Sequence, residues 1–201
     1  MIENDLHGFR SESAPDSEAP EKKKSGFKRF ILDLLETLIL SLLLFLVINS
    51  VSARIRVDGS SMEPTLHNGE FLIVNKLAYK LGSPQIGDVV VFHFPGNPEQ
   101  EYIKRVIGLP GDQVVIQNGR VMVNGKVLQE DYIAAPPAYE TSWQVPEDAL
   151  FVLGDNRNNS SDSHSWGPVP MDQVVGKAVF VYWPPQEWGL VDHIKPALVS
   201  E

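Results

Sequence analysis

The sequence contains no cysteine. This absence excludes disulfide bonds, thiolate nucleophiles and cysteine-ligated zinc sites. Basic residues are also scarce, because 17 lysines and arginines stand against 26 aspartates and glutamates. Nucleic-acid binding relies on a surplus of positive charge that displaces phosphate counterions, so we expect no nucleic-acid partner. The histidines are widely scattered and lack the spacing of metal ligands, which gives a histidine–carboxylate metal site little support.

The N-terminal part of the chain combines a polar tail with a long apolar run. Residues 1–29 are rich in Glu, Ser, Pro and Lys, and we expect them to form a disordered tail in the cytoplasm. Residues 30–53 are dominated by Leu, Ile, Val and Phe, and we expect a transmembrane helix there. The uncharged part of this helix would be about 25 Å long, slightly short of a hydrocarbon core of about 30 Å.

The charges on either side of the apolar run predict its orientation. A basic cluster precedes the run: Lys22, Lys23, Lys24, Lys28 and Arg29. Only Arg54 and Arg56 follow it closely. The positive-inside bias therefore places the N-terminus in the cytoplasm and residues 54–201 across the membrane. A cleavable signal peptide is the alternative, because Val51-Ser52-Ala53 fits a small-residue cleavage site.

The rest of the chain is dominated by strand and turn signals. Strands are predicted at Glu70–Asn75, Asp88–Phe94, Glu101–Ile107, Ala149–Leu153 and Val174–Trp183. Asn-Gly pairs at 118–119 and 124–125 predict two tight hairpins, and residues 131–145 are expected to be irregular. The predicted fold class is mostly β, an antiparallel β-sheet domain on one N-terminal transmembrane helix.

A turn with two serines follows the apolar run almost directly. It reads Asp58-Gly59-Ser60-Ser61-Met62-Glu63-Pro64-Thr65-Leu66. Such a turn exposes a side chain and free backbone N–H groups at one place, which a serine nucleophile requires. Most Gly-Ser-Ser segments are simply turns, so this stretch alone does not establish catalysis.

Lys104 lies within the strand predicted at 101–107. Side chains alternate between the two faces of a strand, so Tyr102, Lys104 and Val106 share one face. If that face packs inward, desolvation lowers the pKa of the lysine and makes it a competent base near neutral pH. The alternative is an exposed edge-strand lysine that discourages aggregation. The strand by itself leaves both interpretations open.

A dense polar loop follows the strand predicted at Ala149–Leu153. It covers residues 154–168, GDNRNNSSDSHSWGP. Its spacing partly matches a calcium loop, but Arg157 occupies a ligand position and no glycine follows at the sixth. A Ser-His-Asp arrangement of Ser61, His164 and Asp162 is formally open. Runs of Asp, Asn and Ser also occur in ordinary turns.

Three stretches in a fixed order carry a resemblance to a known family. They are residues 60–66 (SSMEPTL), 102–112 (YIKRVIGLPGD) and 154–167 (GDNRNNSSDSHSWG). After a membrane anchor and in this order, they closely resemble bacterial type I signal peptidases, also called leader peptidases. The similarity covers about residues 30–185. The segment 162–168, with histidine where many bacterial members have arginine, is similar to the cyanobacterial and thylakoidal branch.

The resemblance implies a membrane-anchored serine endopeptidase that removes N-terminal signal peptides from exported preproteins after small residues, in the pattern Ala-X-Ala. It implies Ser61 as the nucleophile, Lys104 as the general base, and the N–H of Ser61 as an oxyanion donor. Gly59 occupies the position where some members add a hydroxyl donor, so we expect a backbone group at Gly59 to be the second oxyanion donor. The resemblance also implies supporting roles: Ser160 to hydrogen-bond and orient the lysine, Asp162 to support the site, Asp155 and Arg157 to hold the loop, and Arg105 as a structural arginine.

The implied partners are the signal peptides of preproteins and the lipid bilayer, and no metal or cofactor is required. The implied location is the plasma or thylakoid membrane, with a single pass, a cytoplasmic N-terminus and a peptidase domain at 54–201 on the periplasmic or lumenal side. There are two alternative functions, one a different enzyme and the other a binding module without catalytic activity. A self-cleaving Ser-Lys repressor lacks support, because a membrane helix stands where a DNA-binding domain would be. A non-catalytic tethered β module would have no reactive serine.

Overall fold

The computed structural model of the protein describes residues 24–200. The chain divides into two units, one ending at Leu44 and one beginning at Phe45. Most of the predicted disordered tail lies outside the described residues. Residues 24–29, which the sequence analysis assigned to that tail, are helical instead.

The N-terminal helix, α1, spans Lys24–Val51 rather than the predicted 30–53. It begins earlier because lysine and arginine are good helix formers. It ends earlier because Ser52 and Ala53 pair with a neighbouring strand. The segment Gly26–Val51 is long and apolar enough to cross a membrane, by its length and composition. At about 1.5 Å per residue it would extend for about 39 Å, more than a hydrocarbon core of about 30 Å.

The second unit is built of short strands with a few helical turns. In chain order the strands are β1 Ser52–Arg56, β2 Phe71–Asn75, β3 Val89–Phe94, β4 Asn97–Gly108, β5 Gln113–Gln117, β6 Arg120–Val123, β7 Lys126–Leu128, β8 Thr141–Gln144, β9 Ala149–Leu153, β10 Val169–Pro170, β11 Val174–Trp183, β12 Gly189–Leu190 and β13 Leu198–Val199. The helical turns are α2 Ala78–Leu81, α3 Ser163–Trp166, and 3-10 turns at Met171–Gln173 and Pro185–Glu187.

The larger sheet has the order β1-β2-β11-β3-β4-β9-β10, with β12 paired to β11. Every neighbouring pair is antiparallel, so β1 and β4 run in the same direction, with β2, β11 and β3 between them. Within the described residues, β1 pairs with β2 alone and therefore forms an edge. The pairing of β4 with β9 begins at Arg105, so residues 97–104 keep one free edge.

The smaller sheet has the order β13-β7-β6-β5-β8. Its two hairpins turn at the predicted Asn-Gly pairs. Asn118 and Asn124 have φ of 51° and 52°, and the glycines after them have φ of 72° and 76°. These left-handed conformations are what a type I′ turn needs, and asparagine and glycine tolerate them best. The hairpin prediction is confirmed.

The segment 131–145, expected to be irregular, contains strand β8. Its residues 141–144 pair with β5. The ring of Trp143 lies 6.4 Å from that of Phe151, and this packing holds the strand against the core. The sequence pattern missed it because proline and tyrosine residues surround so short a strand.

Two apolar clusters cover the opposite faces of β4. Ile103 belongs to a core that includes Met62 and Leu66 from the turn after β1. Val106, on the other face, belongs to a second core, against which Tyr102 packs. Both faces of the strand are therefore covered. The predicted fold class, a mostly antiparallel β domain with one N-terminal apolar helix that could span a membrane, is confirmed.

Candidate active site

The turn between β1 and β2 presents Ser61 at a cleft. Met62 and Leu66 are each 1% exposed and anchor the turn in the core. The N–H of Leu66 donates to the carbonyl oxygen of Met62 at 2.9 Å. Ser61, beside this anchor, stays half-buried and lines the cleft.

Strand β4 brings Lys104 to the hydroxyl of Ser61. The Nζ of Lys104 donates to Ser61 Oγ at 2.7 Å and to the carbonyl oxygen of Ile103 at 2.8 Å. The lysine is 4% exposed, so the alternative of an exposed edge-strand lysine is wrong. Burial lowers the pKa of Lys104 from 10.5 to about 8, although the carboxylates of Asp162 and Asp155 raise it. The amine is therefore close to losing its proton at neutral pH.

A buried ion pair fixes the polar loop behind the serine turn. Arg105 Nε and Nη2 donate to the two oxygens of Asp155 at 2.8 and 2.6 Å, and both side chains are fully buried. The hydroxyl of Thr65 donates to Asp155 Oδ2 at 2.5 Å. Arg105 Nη1 also donates to the carbonyl oxygens of Gly87 and Asp192. This network ties the serine turn, the loop and the C-terminal segment to one guanidinium.

Asn156 connects the loop to the backbone of the candidate nucleophile. Its N–H donates to the carbonyl oxygen of Ser61 at 3.0 Å, and its Nδ2 donates to that of Ser60 at 3.1 Å. These bonds fix the two peptide groups that flank the α-carbon of Ser61, and the first of them contains the Ser61 N–H. The sequence analysis did not single out Asn156 or Thr65. The only sequence signal that could have pointed to them is that they lie in the same motifs as Asp155 and Ser61.

Arg157 holds the other side of the loop. It donates to both carboxylate oxygens of Glu130 at 2.6 Å, and its Nε donates to the carbonyl oxygen of Gly154 at 3.0 Å. The ring centroid of Tyr132 lies 5.8 Å from the guanidinium of Arg157 and 4.4 Å from that of Arg105. Glu130 and Tyr132 lie in a segment without a motif, so the sequence analysis missed them.

Asp162 is fully buried and organises the end of the loop. Its Oδ2 accepts from the N–H of Gly154 at 2.9 Å, and its Oδ1 lies 2.6 Å from His164 Nδ1. The ring of His164 stacks on Tyr139, with centroids 3.9 Å apart. His164 therefore contacts Asp162 through Nδ1 while its ring packs on Tyr139. The Ser61 hydroxyl is bonded to Lys104, so the described residues do not form the alternative Ser-His-Asp arrangement.

Two expectations about supporting groups need correction. Within residues 24–200, the buried Oγ of Ser160 has no hydrogen-bond partner, so it does not orient Lys104. It lies instead against Gly154, where a Cβ would collide with it. The N–H of Gly59 donates to Asn68 Oδ1 at 3.0 Å and is not available as the second oxyanion donor. The N–H of Ser61 is bonded to no other group in the described part of the chain.

A cleft of about 710 Å³ leads to the two central side chains. One wall is the edge of β1 and the residues after it, and the other is the free edge of β4. The residues that line it are Arg54, Ile55, Arg56, Asp58, Ser61, Gln100, Glu101, Tyr102, Ile103, Lys104 and Ser161. The cleft is therefore a gap between two strand edges, and Ser61 and Lys104 lie at one end of both.

Comparison with known proteins gives the same picture. The profile of the family described as "Signal peptidase, peptidase S26" matches residues 31–183. A probable signal peptidase I-2 of Synechocystis sp. is 45% identical over 181 residues, covering 87% of this chain and 83% of that protein. Signal peptidase I of Leptolyngbya laminosa is 45% identical over 166 residues, covering 77% and 81%.

More distant relatives come from a plastid and from solved structures. Thylakoidal processing peptidase 1 of Arabidopsis thaliana is 40% identical over 142 residues, covering 65% of this chain and 42% of that protein. A crystal structure of a signal peptidase I from Enterococcus faecalis is 34% identical, with a TM-score of 0.45, and covers 48% of this chain and 97% of that one. The family match and the cyanobacterial and thylakoidal relatives confirm the resemblance found in the motifs: this chain belongs to the signal peptidase family, peptidase S26, and is an enzyme of the signal peptidase I type.

Proposed function

We propose that the protein removes N-terminal signal peptides from exported preproteins with a serine–lysine dyad, cleaving after small residues in the pattern Ala-X-Ala. Ser61 is the nucleophile and Lys104 is the general base. The observation that carries this proposal is the 2.7 Å hydrogen bond between Lys104 Nζ and Ser61 Oγ, made by a lysine that is 4% exposed.

The proton path follows from the two partners of the amine. A neutral amine has two N–H donors and one lone pair. One N–H remains on the carbonyl oxygen of Ile103, and the lone pair then points to Ser61 Oγ and accepts its proton. The deprotonated Ser61 attacks the substrate carbonyl carbon, and Lys104 holds the proton as an ammonium.

The remaining steps use the same groups to release the mature protein first and the signal peptide second. The N–H of Ser61 stabilises the oxyanion, because the bonds from Asn156 hold the neighbouring peptide groups in place. The tetrahedral intermediate collapses to an ester on Ser61, and Lys104 gives its proton to the leaving amine. Water, deprotonated by Lys104, then hydrolyses the ester and frees the signal peptide.

The substrate enters as an extended strand between β1 and β4. These strands run in the same direction, and both lead toward the dyad: Ser61 follows β1, and Lys104 ends the free edge of β4. The residues before the scissile bond must lie along these edges, with the bond itself at Ser61. The peptide therefore runs parallel to both strands, and main-chain hydrogen bonds to both edges hold it.

The core beneath the cleft explains a preference for small residues. Alternate residues of an extended peptide point inward. Counted back from the scissile bond, these are the first and third, and they meet Ile55, Ile103 and Met62 at the rim of the core. Ile103 and Met62 are only 8% and 1% exposed, so this rim already packs closely and leaves room for side chains about the size of alanine.

The ion pairs around the dyad serve the reaction by holding the loop. In this proposal Arg105 and Asp155 fix the serine turn through Thr65, and Arg157 fixes the start of the loop. Asp162 holds Gly154 and keeps part of the positive charge on the lysine, because its carboxylate raises the pKa of Lys104.

We further propose that the N-terminus lies in the cytoplasm and the β domain across the membrane. The basic cluster before α1, set against the two arginines after it, supports this orientation. The chain has no cysteine, so single cysteines placed at residue 12 and at the exposed Ser142 can be labelled without background. An impermeant thiol reagent added from outside should label only the second, and the opposite result would reverse the orientation.

Cleavage of a preprotein by variants of the full chain tests the dyad. Ser61→Ala and Lys104→Ala should each lower kcat/KM by at least about a thousandfold, since each removes a group that reacts. Ser142→Ala and Lys126→Ala, at exposed positions of the smaller sheet, are the matched controls and should cleave like the unchanged enzyme. Near-normal processing by either dyad variant, with circular dichroism unchanged, would refute that assignment.

A further inference from the structure

Two arginines line the substrate cleft on the face of β1 that points away from the core. Ala53 and Ile55 pack against the core, whereas Arg54 and Arg56 alternate with them and are exposed. Val57 is 3% exposed, so the alternation continues beyond the strand and places the exposed Asp58 on the outer face. The outer face of this wall therefore carries two positive charges, followed by one negative charge nearest the dyad.

The opposite wall adds no negative charge to that outer face. Ile103 packs in the core that Ile55 borders, so Glu101, two residues before it, shares the inner face of β4. The residues on the outer face of β4 are Gln100, Tyr102 and Lys104. A peptide in the cleft would thus meet Arg54 and Arg56 on its outward side without a carboxylate on the outer face of the facing strand.

Neither arginine is neutralised by a side chain of the part of the protein that the structure describes. Within residues 24–200, Arg54 and Arg56 have no carboxylate partner within ion-pair distance and donate no side-chain hydrogen bond. A guanidinium remains charged at all relevant pH values and binds carboxylates through a planar pair of donors. Two such guanidinium groups, beside the gap between the edges of β1 and β4, are available to bind a ligand.

We infer that Arg54 and Arg56 interact with the outward-facing side chains of the signal peptide and favour acidic over basic residues at those positions. This inference rests on the proposed function, because it places the substrate in the cleft. An extended peptide and β1 advance by the same distance, about 6.6 Å for every two residues. If the second residue before the scissile bond lies beside Asp58, the fourth lies beside Arg56 and the sixth beside Arg54.

The phosphate groups of lipids would also suit two exposed arginines. The position of the arginines favours the peptide: both line the same cleft as Ser61 and Lys104, and their side chains follow the strand along which the substrate would pair. Charge selection by position along the peptide is therefore the expected behaviour, and lipid binding is the competing outcome of the test.

The test measures kcat/KM for peptides that differ at a single position. A neutral parent peptide with alanine at the first and third positions is made with Glu, Gln or Lys at the second, fourth or sixth. The full chain is assayed in a neutral detergent. Glu should exceed Lys about tenfold at the fourth and sixth positions, since an exposed ion pair and the matching repulsion together reach about that factor. At the second position, beside Asp58, the preference should disappear or reverse.

Variants assign the preference to each arginine. Arg56→Gln should reduce the Glu/Lys ratio at the fourth position to about twofold, and Arg54→Gln should do so at the sixth. Lys126→Gln, which removes one positive charge from an exposed position of the smaller sheet, should leave both ratios unchanged. Raising the salt concentration should reduce the ratios of the unchanged enzyme, because the charges are exposed.

Three results overturn the inference, and they are distinguishable. If the neutral parent is cleaved in a Ser61-dependent manner but Glu and Lys peptides are cleaved equally, the inference fails and the proposed function stands. If the arginine variants slow all peptides equally, and only in phosphatidylcholine vesicles containing phosphatidylglycerol, the arginines bind lipid instead. If the neutral parent is not cleaved at all, the proposed function fails as well.

Discussion

The lowered pKa of Lys104 links activity to pH in a way that can be measured. With a pKa of about 8, roughly a tenth of the molecules carry a neutral amine at about pH 7, and nearly all do at about pH 9.5. In the proposed mechanism, only the neutral amine accepts the proton of Ser61. We therefore expect kcat/KM for a preprotein to rise about tenfold over this range, with a midpoint near pH 8.

The lowered pKa of Lys104 also makes the free energy of unfolding depend on pH, and the direction of that dependence follows from the two pKa values. The unfolded chain holds the proton of Lys104 up to its ordinary pKa of 10.5, whereas the folded chain releases it near 8. Between these values the unfolded state binds more protons, so stability rises with pH. Below about pH 8 the folded protein bears the full cost of a charged, buried amine, about 3 kcal/mol at about 1.4 kcal/mol per pKa unit.

Lys104→Met isolates this contribution because it removes the charge and keeps most of the side-chain volume. From about pH 7 to about pH 9.5, the free energy of unfolding of the unchanged enzyme should increase by about 2 kcal/mol relative to that of Lys104→Met. Denaturant unfolding of both full-length proteins in neutral detergent, followed by tryptophan fluorescence, measures the difference. Groups that titrate in both proteins cancel in this comparison.

Three results would refute the reasoning. A difference in unfolding free energy that does not change with pH would mean that burial does not destabilise the charged amine. An activity profile with its midpoint near 10.5 would mean that Lys104 retains the pKa of an exposed lysine. Activity that persists in Lys104→Met would remove the lysine from the reaction altogether.

Three further changes have defined outcomes. Gly154→Ala places a Cβ against the carbonyl oxygen of Ser61, which must then move, and kcat should fall by about a hundredfold in the preprotein assay. Asp162→Asn removes a carboxylate that raises the pKa of Lys104, so the midpoint of the activity profile should move to lower pH. Burial lowers the pKa of His193 below its ordinary 6.5, so the folded state resists its protonation and stability should be lost as the pH falls below about 6.5. His193→Asn, compared by denaturant unfolding, should reduce that acid sensitivity.

Each of these expectations has a contradicting result. A kcat within twofold of normal in the Gly154 variant would mean that the serine turn tolerates the displacement. A midpoint that moves upward in Asp162→Asn would show that the carboxylate acts through the fold rather than through its charge. Equal acid sensitivity with and without His193 would mean that another group causes the loss of stability at low pH.

Motifs in the sequence singled out Ser61 and Lys104, which the fold brings within 2.7 Å of each other, but they missed several of the groups that hold these two residues in place. Strand alternation correctly grouped Lys104 with Tyr102, but it could not decide whether that face is buried. The structure decides it through coverage of β4 on both faces, which depends on β9 and α3, residues far away in the chain. Local pattern carries no information about which distant element will cover a face.

The missed contacts share a physical cause. The carbonyl oxygens of Gly87 and Asp192 accept from Arg105, and every residue has a carbonyl group, so no side chain marks these partners in the sequence. The unbonded hydroxyl of Ser160 is a similar case. Its motif predicts a hydrogen bond, and only the packing against Gly154 shows that the hydroxyl points elsewhere.

In the proposed binding mode, the gap between β1 and β4 also determines when a protein can be cut. It accepts a chain only if that chain still has unpaired main-chain N–H and C=O groups to offer to both edges. In a folded domain nearly all such groups are already engaged. A preprotein would then enter at a stretch that has not yet acquired structure, while folded proteins, and the ordered strands of neighbouring copies of the enzyme, would be left intact.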